Sequence, residues 1–474
     1  MTPVADPKSP PIARLAIAAA LVLAAAGCAS RPPATPPAPT PAAFVIQSAE
    51  PGPYEIFLDG QFIGGGQVAP DSPQTNRLAL AAGTRLLSVR VNGRETWRRE
   101  VTVLAGVPDG QKFLIAAAPA EGTTPAARVF SGNGSGTAGD PYRIVSAAQL
   151  QEMENAPDAH YVLAASVDLS DACGSGAGFR PVGSRQRPFG GTFDGQGHTI
   201  SGLRISVPGG SGVGLFGGTS REAVIRRVAV LDARVQSMDY VGVLVGQCSG
   251  RIEDCRVSGS VMGSGSFGGL CGAISSGVVQ RCQAAVEVRG GNHLGGLIGL
   301  MDWGTVEDSF ATGRVSGMEN PGGLVGVNRG GTIERCYATG AVTSSFRSFS
   351  PQYARGAGGL VAANQLDLSE TIGGRVRQCV ATGRVSAPDG TPVGRVVGLC
   401  CGAATVSGSF YAVQPGSAQE GVGLLMAGAA SADCEPVIDA ALSQRLSASG
   451  AGWDLDRVWQ VDAAGGMPVL RPVP

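Results

Sequence analysis

The sequence predicts an all-β protein whose main body is a right-handed parallel β-helix preceded by a small β-sandwich-like domain, and three observations carry that prediction. The first is a repeat. Gly242-Val243-Leu244-Val245-Gly246, Gly268-Gly269-Leu270-Cys271-Gly272, Gly295-Gly296-Leu297-Ile298-Gly299 and Gly322-Gly323-Leu324-Val325-Gly326 align, with their leucines 26, 27 and 27 residues apart. The second is a block that follows each of these copies and the looser copy Gly358-Gly359-Leu360-Val361-Ala362: Ile252-Glu253-Asp254-Cys255, Val279-Gln280-Arg281-Cys282, Val306-Glu307-Asp308-Ser309, Ile333-Glu334-Arg335-Cys336 and Val376-Arg377-Gln378-Cys379. Each block leads to a valine, at Val261, Val288, Val315, Val342 or Val385. The third is composition, since 73 of 474 residues are glycine, roughly twice the usual ~7%. A period of this size marks a solenoid of stacked coils rather than independent domains. Short β-branched strands separated by glycine turns, with no helical period, favour a β-helix over leucine-rich or helical repeats.

Taken in order, residues 1–27 form a targeting segment: Lys8 and Arg14 precede an apolar run from Leu15 to Ala26. The run is shorter than the ~20 residues of a spanning helix. It ends in Leu23-Ala24-Ala25-Ala26-Gly27-Cys28, which resembles the lipobox of bacterial lipoproteins, with Ala25 where that family usually has leucine. The resemblance implies cleavage before Cys28, acylation of its thiol and membrane lipid as a partner. More than one acyl chain gives stable anchoring. Ala29 is not the aspartate that resembles an inner-membrane retention signal, so an outer-membrane location is expected, on its periplasmic face or at the cell surface. The alternative is an ordinary secretory signal with an incidental cysteine.

Residues 28–43 read as a proline-rich linker, because proline lacks an N–H and fixes φ. Residues 44–120 read as a small β domain. Tyr54-Glu55-Ile56-Phe57-Leu58 alternates, Asp59-Gly60 is a hairpin turn, and Leu86 to Val91 and Glu100 to Leu104 alternate again. The stretch from Glu50 to Gly64, with Ala82-Gly83 and Asn92-Gly93 later, is similar to a PEGA domain. It lacks the literal Pro-Glu-Gly-Ala string and carries a longer insertion around Val68 to Asn76.

The β-helix is expected over residues 135–414 and a C-terminal cap over 415–474. Ser146 and Gln149 form a capping box for one short helix. Residues Gly322 to Val342 resemble the GLUG motif, whose core reads Gly-Gly-Leu-Val-Gly, then Gly-Thr-Ile, then Cys-Tyr-Ala-Thr-Gly. That resemblance implies a secreted or surface-exposed bacterial β-helical protein, often adhesive, and names no ligand. Trp453 and Trp459 are expected to cover the open last coil.

Stacking turns equivalent positions into columns. Arg227, Asp254, Arg281, Asp308 and Arg335 alternate in sign, which predicts a structural charge ladder at a coil corner. If exposed, each contact contributes ~0–1 kcal/mol. The other reading of this column is an anion or carbohydrate groove. Cys255, Cys282, Ser309, Cys336 and Cys379 form a second column, of small buried residues; a Cys255–Cys282 disulfide is open on spacing. Cys400 and Cys401 read as one facing in and one facing out.

A net charge of −1 argues against nucleic acid. The three histidines, His160, His198 and His293, lie in no HExxH or metal-ligand pattern, and no nucleophile elbow or phosphate loop occurs. No cofactor and no catalysis are therefore expected. The reading is a binding or adhesion module with a glycan, envelope-protein or host-protein ligand. Its candidate contact loop is the insertion bearing Phe346, Phe349 and Tyr353. The rivals are a carbohydrate-active β-helix enzyme using Asp254, Glu307, Asp308 and Arg281, and a passive envelope scaffold.

Overall fold

The computed structural model describes residues 40–48, 52–68, 74–80, 83–91, 93–103, 111–117, 130–172, 178–345, 355–365, 371–413, 420–437, 445–446, 452–461 and 467–472. Cys28 and the loop residues Phe346, Phe349 and Tyr353 lie outside the described residues. The chain divides into two compact units, Met1–Gly122 and Thr123–Pro474.

The first unit holds two sheets. Gln61–Val68, Gly52–Leu58, Gly83–Val91 and Arg94–Val103 form a four-stranded antiparallel sheet in that order. Asp59 and Gly60 make its first hairpin turn with φ of 50° and 81°, the left-handed pair a tight two-residue hairpin needs. Alternation buries Tyr54, Ile56, Leu87, Val89 and Val91. In the second sheet, Thr40–Ser48 pairs antiparallel with Gln74–Leu80 and parallel with Gln111–Ala117. Its first strand starts four residues before the expected domain boundary, inside the proline-rich stretch. Pro41 is tolerated because it faces Ala79 on one side only; the other partner strand begins at Ala42.

The second unit is the solenoid. Its first end is filled by Phe130, Tyr142, Tyr161, Phe189 and Phe216, whose neighbouring rings lie 4.6 to 6.3 Å apart. The short helix Ala147–Glu152 adds buried Leu150 there. Ser146 Oγ accepts from Gln149 N at 3.3 Å. The return bond differs from the expected box: Gln149 Oε1 accepts from Val145 N at 2.8 Å, one residue earlier than Ser146.

Eight parallel strands stack into one sheet, which defines eight turns: Phe216–Gly218, Val245–Cys248, Cys271–Ser275, Ile298–Asp302, Val325–Arg329, Val361–Gln365, Val397–Cys400 and Val422–Leu425. The facing wall is built from Val224–Arg226, Arg251–Glu253, Val278–Gln280, Thr305–Glu307, Thr332–Glu334 and Arg375–Arg377, in register from turn to turn. Between the walls run Leu215, Leu244, Leu270, Leu297, Leu324, Leu360 and Val396, every one fully buried. The backbone follows the same column, Leu270 N donating to Leu297 O and Leu297 N to Leu324 O, both at 2.9 Å.

The Gly-Gly-Leu corner explains its own composition. A Cβ on Gly295 would overlap the Ile298 carbonyl oxygen, and one on Gly296 would overlap the Gly323 carbonyl oxygen of the next turn. The corner closes only where backbone meets backbone.

Two expectations change at the C-terminal end. Val422–Leu425 and Ala430–Val437 pair with the preceding turn, so the solenoid runs past residue 414 to Val437. The tryptophans do not close the last coil. The hairpin of Trp459–Gln460 with Val469–Leu470 lies along a flank, where Trp459 and Trp453 are buried against Phe310, Tyr337 and Val380. The reason is packing: Phe310 and Tyr337 stack on neighbouring turns at 4.5 Å, and these outward aromatic faces must be kept from water.

Gly296→Ala should lower the stability of the solenoid by about 1 to 3 kcal/mol through overpacking. Gly139→Ala, where an added Cβ meets nothing within 4 Å, should change it by less than about 0.5 kcal/mol. Urea unfolding of the two variants makes the comparison; equal stabilities would contradict the corner assignment.

Candidate functional site

The charge column lies at one corner of successive turns. Arg227, Asp254, Arg281, Asp308 and Arg335 have φ of 52°, 52°, 49°, 48° and 50°. The left-handed conformation costs a non-glycine residue roughly 1–2 kcal/mol, and turn-to-turn bonds hold it. Asp254 N donates to Gln280 O at 3.1 Å and Asp308 N to Glu334 O at 3.2 Å.

Each arginine of the column reaches back one turn to a carboxylate. Arg281 Nε and Nη2 meet Asp254 Oδ1 and Oδ2 at 2.6 and 2.7 Å. Arg335 Nε and Nη2 meet those of Asp308 at 2.9 and 3.2 Å, and Arg335 also pairs with Glu307 at 3.0 Å. Arg227 instead clasps Asp194, outside the expected column, which Arg226 shares. Paired guanidinium and carboxylate geometry makes these strong contacts. The carboxylates are also less exposed than the sequence suggests, at 12% for the Asp254 side chain and 7% for Asp308. Burial works against ionisation of Asp194, but hydrogen bonds from Arg227 and Gln196 N, with the charges of Arg226 and Arg227, hold its carboxyl below the ordinary range.

The next position in each repeat is the cysteine column. Cys255, Cys282, Cys336 and Cys379 are buried free thiols, each donating to a carbonyl oxygen two residues earlier at 3.1 to 3.3 Å. Ser309 substitutes with its hydroxyl, which donates to Glu307 O at 2.8 Å and accepts from Cys282 N at 3.0 Å. Burial pushes the Cys282 and Cys336 thiols well up, so they are protonated hydrogen-bond donors and not nucleophiles. Cys400 is buried and Cys401 half-buried.

One position further, the repeats differ in a way that builds a cleft. The outward column runs Thr199, Ala229, Arg256, Gln283, Phe310, Tyr337, Val380 and Phe410 in register. Its aromatic half is covered by the C-terminal hairpin. Its polar half is left open and forms the floor of a cleft of about 420 Å³, rimmed by Arg227, Asp254 and Arg281 and walled by Leu470, Arg471 and Pro472. The sequence column thus supplies one rim of the site. Arg256 and Gln283 follow the column cysteines directly, so the repeat alignment could have exposed the polar-to-aromatic switch. Arg471 lies outside the repeats, and only the fold brings it there.

A second groove of about 540 Å³ lies over the eight-stranded wall, lined by Tyr240, Gln247, Leu300, Glu222 and Asp302 among others. Near it His293, φ 46°, lies 3.2 Å from Ser266 Oγ through Nδ1. Burial, with Arg329 and Arg355, pushes its pKa down to about 4 against the opposing pull of Glu319 and Asp239. Among the described residues no group of three or more His, Cys, Asp or Glu could hold a metal ion, and no helix is long and apolar enough to cross a membrane.

Comparison with known proteins places the repeats. Residues 290–316 and 319–343 match the GLUG motif. A 150-residue stretch, 30% of the chain, is 34% identical to halomucin of Haloquadratum walsbyi. Another of 135 residues, 27% of the chain, is 30% identical to a candidate Gly-rich membrane protein of Evansella cellulosilytica. The matches span 2% and 16% of those two proteins. A candidate immunoglobulin A1 protease of Bacteroides ovatus superposes with a TM-score of 0.46 at 22% identity, over 72% of this chain and 95% of that one. An IgA1 protease superposes with a TM-score of 0.44 at 14% identity, over 79% and 29%.

Two outcomes are expected. A double-mutant cycle on Asp308→Asn and Arg335→Gln, read by urea unfolding, should give a coupling of about 1 to 2 kcal/mol; a value near zero would make the ladder ornamental. His293 has a folded pKa below its unfolded one, so the folded state binds fewer protons. Its contribution to stability is intact above about pH 6.5 and is lost as the pH falls toward the folded value of about 4. Thermal unfolding should fall across that window and flatten in His293→Gln; identical profiles would refute the assignment.

Proposed function

We propose that the protein is an envelope-anchored binding module: Cys28 is lipidated, the proline-rich segment spaces the folded units from an outer membrane, and the solenoid presents rigid flanks to a ligand at the cell surface. The observation that carries this reading is the open cleft of about 420 Å³ beside the charged corner, within the size range of small-ligand sites. The insertion bearing Phe346, Phe349 and Tyr353 supplies a further contact surface. It is carried between Ser345, bonded to Gly317 O, and Arg355, paired with Glu319 at 2.9 Å.

The same geometry weighs against the carbohydrate-active reading. Asp254 and Asp308 are engaged by bidentate arginines, and Glu307 is paired with Arg335. Glycoside hydrolysis needs one carboxyl kept protonated as the acid. In the second groove, the Ser220 hydroxyl beside Glu222 holds its carboxyl below the usual range, the opposite direction.

Mass spectrometry of the membrane fraction should find the mature N-terminal cysteine acylated, and intact cells should expose the solenoid to added protease. Cys28→Ala should release the chain or leave it unprocessed. An unmodified wild-type chain that fractionates as soluble protein would overturn the anchored reading. Catalytic turnover of a polysaccharide, abolished by Asp254→Asn, would overturn the non-enzymatic one.

A further inference from the structure

We infer that the cleft beside the charged corner binds an acidic saccharide, one bearing carboxylate or sulfate groups; this rests on the binding-module reading and names its ligand class. Four guanidiniums line the cleft: Arg227, Arg256, Arg281 and Arg471. Asp254 in the lining answers Arg281, and Asp194 answers Arg227 while being shared with Arg226. Among the described residues no carboxylate answers the other two, which leaves two positive charges in excess.

The two arginines that carry this excess are held in place by neutral acceptors. Arg471 donates through Nε to Trp459 O and through Nη2 to Leu455 O, both at 3.0 Å. Arg256 packs its guanidinium against the Gln283 side-chain amide, which accepts from it once the amide is turned so that its oxygen faces the arginine. Their orientation is fixed without neutralisation, and that is how a protein prepares a site for an incoming anion.

The rest of the cleft suits a sugar. The floor belongs to strands bonded on both sides within their stack, Arg256–Met262 lying between the strands that contain Ala229 and Gln283. The floor itself offers no free strand edge to an extended peptide, so recognition there comes from side chains. Thr199, Gln196 and Gln283 supply hydroxyl and amide groups, and Ala229, Leu470 and Pro472 supply apolar surface for a ring face. Arg227 and Arg281 stand two turns apart, about 9.5 Å along the axis, a spacing on the scale of a disaccharide repeat. Electrostatic recognition of this kind weakens with salt.

The test is isothermal titration of the mature full-length chain with three size-matched probes: an oligogalacturonate, a sulfated galactan oligomer and a neutral galactan oligomer. The expected result is binding of at least one acidic probe, weakened by added salt, with the neutral probe far weaker. The two acidic arms tell carboxylate from sulfate recognition. Arg256→Gln combined with Arg471→Gln should weaken that binding about ten- to a hundredfold, with an unchanged thermal unfolding curve. If the double variant fails to fold, Arg256→Glu alone together with the salt dependence of the wild type decides. Equal binding of acidic and neutral probes, salt-independent binding, or full affinity in the arginine variants would overturn the inference. Binding of the neutral probe alone, or of none of the three, would overturn it too; the binding-module reading then stands or falls on the acylation and cell-surface test above.

Discussion

In-register stacking of one turn on the next is the constraint on which the rest of the molecule depends. Backbone contact at Gly295 and Gly296 brings neighbouring turns together at the corner, and the leucine column locks the interior against slippage. A shift of one residue would turn every leucine, valine and cysteine of a turn toward the wrong side. Once the register holds, the chemistry of each column is additive and readable: leucine inside, a left-handed charged residue at the corner, then a thiol or hydroxyl that caps a carbonyl.

The columns explain why so much was legible in the sequence. Equivalent positions 26 or 27 residues apart in the sequence become neighbours one strand apart, so the opposite signs of Asp254 and Arg281, and of Asp308 and Arg335, translate directly into contact. The same logic reaches only as far as the repeat. Asp194 completes the ladder but precedes the well-formed copies. Pro41 sits in a strand because half of its surroundings are unpaired, which no composition rule conveys. Trp453 and Trp459 read in the sequence as a cover for the open last coil, but their position depends on Phe310 and Tyr337, whose outward exposure is a property of stacked turns.

The flank shows how a repeat acquires a local site without altering the scaffold. Inward and corner positions are constrained by register, whereas the outward position beside the cysteine column is free to vary. There it changes from Arg256 and Gln283 to Phe310 and Tyr337, and the C-terminal hairpin covers the apolar half while overhanging the polar half. Trp459 joins the two functions, packing on the aromatic rings and donating through Nε1 to Asp308 at 3.3 Å. A rigid flank of this kind favours binding because its side chains lose little freedom when a ligand arrives.

The central claim, that the open half of this flank is the ligand surface, is tested most directly by hydrogen exchange on the full-length chain with and without each of the two acidic probes, the oligogalacturonate and the sulfated galactan oligomer. The account predicts added protection confined to the strand Arg256–Met262, its neighbour around Gln283 and residues 467–472, with the rest of the solenoid unchanged. Protection centred on the groove near Leu300, protection of the Phe346 to Tyr353 insertion without the cleft, or none with either probe would contradict it.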